Sequence, residues 1–243
     1  SYLKDSGTAG VSELRALPPN PSPIVGQLLK KGLVTLSERE IYRCAEESPV
    51  IGTGAGLRLN DDQADACGIL DKALASRRFQ PFVLHGVTGS GKTEVYFQAI
   101  ESVLAAGGGA LYLVPEIGLT PQLLSRISRR FPGVEIAVLH SSIARGSRYD
   151  YWRRLQQGEI RRAVGVRAAL FAPLPGLRLI IVDEEHDASY KQDVRMRYSA
   201  RDLAILRARQ QNAVIVLGSA TPYMQTFFHA RQGKYTRLSL PSR

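Results

Sequence analysis

Gly86-Val87-Thr88-Gly89-Ser90-Gly91-Lys92-Thr93 fits the pattern G-x-x-x-x-G-K-[ST] at every fixed position. An apolar run, residues 82–85, precedes it. Residues 93–106 follow with Val95, Ala99 and Val103 beside Tyr96, Ile100 and Leu104, a helical spacing. Strand, glycine-rich turn and helix in that order make a seat for phosphate. Glycines carry no Cβ, so successive backbone N–H groups can curl around an anion. The first turn of the helix adds its positive dipole end. Lys92 supplies a full cation for β- and γ-phosphates, and the Thr93 hydroxyl is a ligand for Mg²⁺. A chance glycine-rich turn has no reason to sit between such a strand and such a helix, so these eight residues read as a nucleotide site.

A second group lies at 179–186. Leu179-Ile180-Ile181-Val182 has the composition of a buried strand, and Asp183-Glu184-Glu185-His186 follows at its carboxyl end. Ligands of open α/β sheets bind at that edge. Asp183 is suited to hold Mg²⁺ through water, and Glu184 to polarise the water that attacks phosphorus. Adjacent carboxylates remain ionised together only with a cation nearby, which the metal would supply. A solvated acidic turn is the alternative, and the phosphate loop in the same chain argues against it.

A third group is basic and aromatic. Lys191, Arg195, Arg197 and Arg201 surround Tyr190 and Tyr198. Cations that pair with phosphates beside rings that stack on bases suit a single-stranded nucleic acid. A solvated charged loop has the same pattern, and the residues alone leave both readings open. His140 reads as structural and Trp152 as packing a helix, while His85 and His229 have no partners at ligand spacing.

These groups need a frame. Apolar runs at 82–85, 110–114, 135–139, 163–166, 179–182 and 213–217 alternate with helical patterns, including one over 121–130. Near-continuous apolar strands separated by helices predict an α/β fold, a parallel sheet with helices on both faces. Residues 1–50 differ. A short helix over 11–17, a proline break at 18–23, a helix over 24–31 capped by Gly32 and a hairpin over 33–43 follow the order of a small winged-helix domain. A generic α+β appendage is the alternative. Residues 51–56, rich in glycine, form the expected linker, and 57–243 the α/β lobe.

Composition sets outer limits. The 243 residues suffice for between one and two domains at about 150 residues each. Lys and Arg number 32 against 22 Asp and Glu, a net charge of +10 that favours a polyanionic partner, with plain solubility charge as the alternative. No run nears the roughly 18 apolar residues of a membrane span, so no membrane partner is expected. No signal peptide opens the sequence, and the residues read as cytoplasmic. Cys44 and Cys67 form no CxxC pair, so neither a disulfide framework nor a zinc site is expected here. The start at Ser1 and the end after Arg243 suggest a piece of a longer protein.

Asp183-Glu184-Glu185-His186 has the Asp-Glu-x-His form and resembles the DExH type of superfamily 2 helicases. Gly218-Ser219-Ala220-Thr221 is similar to the segment that couples ATP state to nucleic-acid binding in those enzymes, which implies a coupling role for His186, Ser219 and Thr221. Leu59-Asn60-Asp61-Asp62-Gln63 resembles their adenine-reading segment, with Gln63 as the reader. The longer strings GVTGSGKTEVY (86–96), VPEIGLTPQ (114–122), VDEEHDASYKQ (182–192) and RYSARDLA (197–204) resemble the PriA family of bacterial replication-restart helicases. The likeness runs along 57–243, and a winged helix precedes the first helicase lobe in that family.

The resemblance implies a RecA-like lobe of the P-loop NTPase kind. It implies ATP-driven 3′-to-5′ unwinding of DNA, with ATP and Mg²⁺ as cofactors and forked and single-stranded DNA as partners. It also implies primosome proteins and single-strand-binding protein as partners, and a nucleoid-associated cytoplasmic location. Thr120 matches the family's first DNA-backbone motif, although its hydroxyl could equally cap the next helix. Arg167 keeps the charge of a DNA-contacting motif in which Val166 and Ala168 replace hydroxyl residues. Met196 and Tyr198 stand in the family's aromatic-rich loop. The second lobe with its arginine finger and the zinc module of the family are not matched by these residues, so this chain alone is expected to turn over little ATP and to hold no zinc. A nucleotide-gated DNA-binding module without hydrolysis and a phosphate-loop kinase are the competing functions. The Asp-Glu-x-His and Ser-Ala-Thr pair argues against the kinase.

Overall fold

A computed structural model describes residues 22–35, 58–194 and 196–242. The chain divides into two compact units, residues 1–42 and 43–243. In the first unit, helix α1 (Ser22–Lys30) is followed by Gly32 at φ 66, a left-handed conformation that glycine adopts without Cβ strain. The Gly32 and Leu33 N–H groups then close onto the Leu29 and Leu28 carbonyls and satisfy the helix end. Residues 33–35 form no strand. The expected helix over 11–17, the rest of the expected hairpin and the linker 51–56 lie outside the described residues.

The second unit carries seven parallel strands in the order β3-β4-β2-β5-β8-β1-β9. In chain order its elements are α2 (Asp61–Ser76), β1 (Gln80–Gly86), α3 (Lys92–Ala105), β2 (Gly109–Leu113), α4 (Pro121–Arg130), β3 (Ala137–Leu139) and α5 (Arg145–Gln157). Then come β4 (Arg162–Gly165), β5 (Leu177–Val182), the short antiparallel pair β6 (Lys191–Gln192) and β7 (Tyr198–Ser199), α6 (Ala200–Gln210), β8 (Val214–Ser219), α7 (Met224–Arg231) and β9 (Thr236–Leu240). The expected parallel α/β sheet is therefore present, with most boundaries within two residues of the sequence expectation.

Both sheet faces are covered, which is why the strands lack alternation. On β5, Leu179 and Ile181 enter one buried cluster with α2, α3 and α4, while Ile180 and Val182 enter the opposite one with α5 and α6. Val214 and Val216 part from Ile215 and Leu217 in the same way on β8. Register brings the functional segments to one edge. β8 lies between β1 and β5, with Leu84 beside Gly218, His85 beside Ser219, and Val182 beside Leu217. The carboxyl ends of these strands thus deliver the phosphate loop, Asp183 and Ser219 to one place. No described helix is long and apolar enough to cross a membrane.

Candidate functional site

The phosphate loop leaves β1 at Gly86 and enters α3 at Lys92. Gly89 and Gly91 stand at φ 85 and 82, which a side chain would strain. Val87, Thr88 and Gly89 are exposed, whereas Ser90 is buried with its Oγ unpartnered among the described residues. Gly91 caps α3 with no side chain to take up the N–H groups at the start of the helix, and the Glu94 N–H closes onto the Gly91 carbonyl at 2.9 Å. Lys92 is buried. Its Nζ donates to the Gly86 carbonyl at 2.9 Å and lies 3.5 Å from Glu184 Oε1. Thr93 is half-buried in the same turn.

Asp183 ends β5 beneath this loop. Its Oδ1 accepts from the Tyr96 hydroxyl at 3.0 Å and from the Glu184 N–H at 3.1 Å, and its Oδ2 accepts from the Tyr112 hydroxyl at 3.1 Å. The Tyr190 hydroxyl donates to the Asp183 carbonyl at 2.7 Å. Burial, and then the charge of Glu184, pushes the Asp183 carboxyl above its ordinary range. The two tyrosine hydrogen bonds and Lys92 pull it back. Burial first, and Asp183 next, hold the Tyr96 and Tyr112 phenols well above their ordinary pKa, so both remain protonated donors. Glu184 occupies a left-handed backbone position, φ 43. Its carboxylate lies between Lys92 and His186, whose Nδ1 is 3.7 Å from Oε2.

His186 Nδ1 is hydrogen-bonded to Ser219 Oγ at 2.7 Å, and Nε2 to Thr221 Oγ1 at 3.4 Å. The three expected coupling residues therefore touch one another and, through His186, Glu184. Gln63 stands at the start of α2, inside a capping box. Its Oε1 accepts from the Asn60 N–H at 3.0 Å and its Nε2 donates to the Ser90 carbonyl at 3.0 Å. That second bond ties α2 to the phosphate loop and leaves one amide N–H and one oxygen lone pair for a further partner.

Sequence reading missed Glu185. Its side chain is fully buried, and it accepts from the Tyr223 N–H at 2.8 Å, the Thr226 hydroxyl at 3.2 Å and Arg201 Nη1 at 3.2 Å. Arg201 in turn lies over the Tyr223 ring, 4.7 Å from its centroid, and pairs with Asp202 at 2.6 Å. The structure thus gives Arg201 protein partners on several sides, away from the solvated loop in which the pattern grouped it. Arg167 likewise donates to the Ser189 and Lys191 carbonyls at 3.1 and 2.6 Å, fastening the start of the basic loop. Thr120 caps α4, with Oγ1 accepting from the Leu123 N–H at 3.2 Å. Lys191 and Arg197 are exposed, and Tyr198 is half-buried against Phe171. Arg195 lies outside the described residues, as does Cys44. Cys67 is a buried free thiol that burial, above all, pushes up to about 11. Trp152, read as a packing residue, is 36% exposed on α5.

A family model described as "DEAD/DEAH box helicase" matches residues 61–227. The chain is 45% identical over 222 residues to "Replication restart protein PriA" of Bacillus subtilis, covering 91% of this chain and 28% of that protein. It is 43% identical over 235 residues to the protein of that name from Synechocystis sp., covering 95% of this chain and 28% of the relative. The chain thus spans little more than a quarter of the length of these relatives. Among solved structures, RecG bound to a three-way DNA junction superposes with a TM-score of 0.55 at 22% identity, over 77% of this chain and 24% of that one. The helicase MrfA bound to DNA superposes with a TM-score of 0.55 at 17% identity, over 76% of this chain and 27% of that one. The likeness to these two structures is one of fold.

Proposed function

Because this chain belongs to the DEAD/DEAH box helicase family, we propose that it is the ATP-binding lobe of a DNA helicase that acts in replication restart. Unwinding in the 3′-to-5′ direction at abandoned forks, followed by primosome assembly, is the role we assign to the whole protein. Use of ATP and Mg²⁺ is general to the family. The residues present fit a magnesium nucleotide: an open glycine loop at an uncapped helix start, a buried ammonium beside it, and a carboxylate at the strand end. Lys92 is assigned to the terminal phosphates, with the backbone of Gly86 to Thr93 around them. Thr93 and Asp183 hold Mg²⁺, which supplies neutralisation of phosphate charge. Glu184 orients and deprotonates the attacking water. Gln63 has amide capacity left for the adenine edge, and His186, Ser219 and Thr221 relay the state of the site.

The observation that carries this reading is the contiguity of Lys92, Glu184, His186 and Ser219 at one sheet edge, linked at 3.5, 3.7 and 2.7 Å. A phosphate-binding cation, a water-activating carboxylate and a segment that can report on them are in direct succession. The test is steady-state phosphate release with Mg²⁺ and ATP, with and without single-stranded DNA, on the protein joined to the remainder that its relatives possess and on residues 1–243 alone. The longer protein is expected to release phosphate faster with DNA, and residues 1–243 to release little. Phosphate release indifferent to DNA argues for another P-loop chemistry. Tight ATP and DNA binding with no release would make the chain a nucleotide-gated binding module.

DNA binding by the basic loop has its own measurement. For single strands the slope of log K against log salt is about −0.7 per phosphate neutralised. Lys191 and Arg197 are its exposed described cations, so alanine at both is expected to flatten the slope by about 1.4. Alanine at Arg167 or Arg201 acts instead through their protein partners. An unchanged slope in the double variant returns Lys191 and Arg197 to ordinary surface charge.

A further inference from the structure

We propose that Tyr96 and Tyr112 are positioning residues that aim Asp183, and that Gly218 is glycine because the Tyr96 hydroxyl occupies the space beside it. The proposal rests on the reading of Asp183 as a magnesium-site carboxylate. A carboxylate offers about four lone-pair positions, two on each oxygen. On Asp183, Oδ1 accepts from the Tyr96 hydroxyl and the Glu184 N–H, which uses both of its positions. Among the described residues, Oδ2 accepts from the Tyr112 hydroxyl alone. One lone pair, on Oδ2, is left over. A carboxylate held at three of its four positions cannot rotate, so its remaining acceptor points in a single direction.

The donors come from different parts of the lobe. Tyr96 stands on α3, one turn into the helix that the phosphate loop opens, and Tyr112 stands on β2, the strand beside β5. Both rings are buried, 5.6 Å apart between centroids and inclined at 57°, so neither hydroxyl is free to wander. Tyr190, just before the basic loop, adds a bond to the Asp183 carbonyl and holds the backbone in the same sense. Gly218 completes the packing. A Cβ built on it would run into the Tyr96 hydroxyl and come within 2.8 Å of Tyr96 Cζ and 3.5 Å of Asp183 Oδ1. The segment Gly218 to Thr221 therefore meets the P-loop helix and Asp183 through one phenol. Any side chain at 218 must push that phenol off the carboxylate.

The experiment titrates MgCl₂ against binding of a fluorescent ADP analogue to the purified protein, with a parallel binding curve in EDTA. Tyr112→Phe and Tyr96→Phe keep the ring and remove the hydroxyl. Each is expected to raise the Mg²⁺ concentration for half-maximal enhancement of binding at least about tenfold, while affinity in EDTA stays within about twofold of the parent. Gly218→Ala is expected to raise the Mg²⁺ requirement in the same way while leaving both phenol hydroxyls in the protein. A merely structural role would lower binding in EDTA and in Mg²⁺ alike, and that result overturns the proposal, as does an unchanged Mg²⁺ requirement in both phenylalanine variants. Asp183→Asn separates the underlying reading. If it leaves the Mg²⁺ requirement at the parent value, Asp183 is not the magnesium-site carboxylate and the proposal falls with it. Should Gly218→Ala fail to fold, as judged by circular dichroism, the two phenylalanine variants decide the question.

Discussion

Lys92→Ala is expected to reduce ATP turnover of the helicase by at least about 10²-fold, the lower end of the loss seen when one preorganised donor is removed from developing charge. Lys92 is 7% exposed, and its ammonium reaches two groups, the Gly86 carbonyl and Glu184. That burial matters to the size of the effect. A cation withdrawn from bulk water acts on phosphate oxygens with less screening than one on the surface. The truncation also leaves Glu184 without the ammonium 3.5 Å away, so the residue proposed to activate water is disturbed together with the proposed phosphate cation. The loss should appear in ATP affinity and in the rate at saturating ATP. Far-ultraviolet circular dichroism should be unchanged, because the site lies at the sheet edge and the strands beneath it keep their buried partners. Turnover within about threefold of the parent is a difference below about 1 kcal/mol and would remove Lys92 from the role.

The parts of this site that could be read in the sequence are those whose chemistry needs particular residues side by side. Lys92 and Thr93 follow glycines that only a tight anion-binding turn requires. Asp183, Glu184 and His186 share one strand end, so the strand places all three. The lobe was legible for the same reason: strands covered on both faces leave unbroken apolar runs, and the structure places β1, β5 and β8 close to the expected positions. The polar helix α5 and the edge strand β9 were not legible. α5 buries only Tyr151 and Leu155, which gives little periodicity, and β9 alternates polar and apolar residues beside a single neighbour, β1. Tertiary partners were also beyond reach. Tyr96 and Tyr112 lie 87 and 71 residues from Asp183, and only the sheet order brings them to it. Arg201 misled most. Beside Lys191 and Arg197 it reads as a free cation, and nothing local reveals that Glu185, fully buried, is its partner.

Glu184→Gln is expected to leave binding of ATP with Mg²⁺ within a few-fold of the parent and to cut hydrolysis at least about 10²-fold, the low end for a positioned proton-transfer group. The amide keeps the volume and one acceptor oxygen, so Lys92 retains a neighbour, but the charge proposed to take up a proton from water is gone. The next residue supplies the contrast. Glu184 is 36% exposed at the side chain and faces Lys92 and His186. Glu185 is fully buried, and its three donors are the Tyr223 N–H, the Thr226 hydroxyl and the Arg201 guanidinium. Glu185→Gln leaves Arg201 facing a neutral group and turns an amide N–H toward other donors, so it should lower the melting temperature. Breaking a buried charged pair by removing one partner is costly, on the order of 3–5 kcal/mol in well-buried cases, and Arg201 retains Asp202, which reduces the loss here. Two isosteric changes at adjacent positions should thus separate, one in turnover at unchanged stability and the other in stability. If Glu184→Gln instead abolishes ATP binding, Glu184 is a ligand of the nucleotide and its assignment to water is wrong. If both variants lose stability equally, the acidic run serves packing, and the chemistry must be sought at another carboxylate.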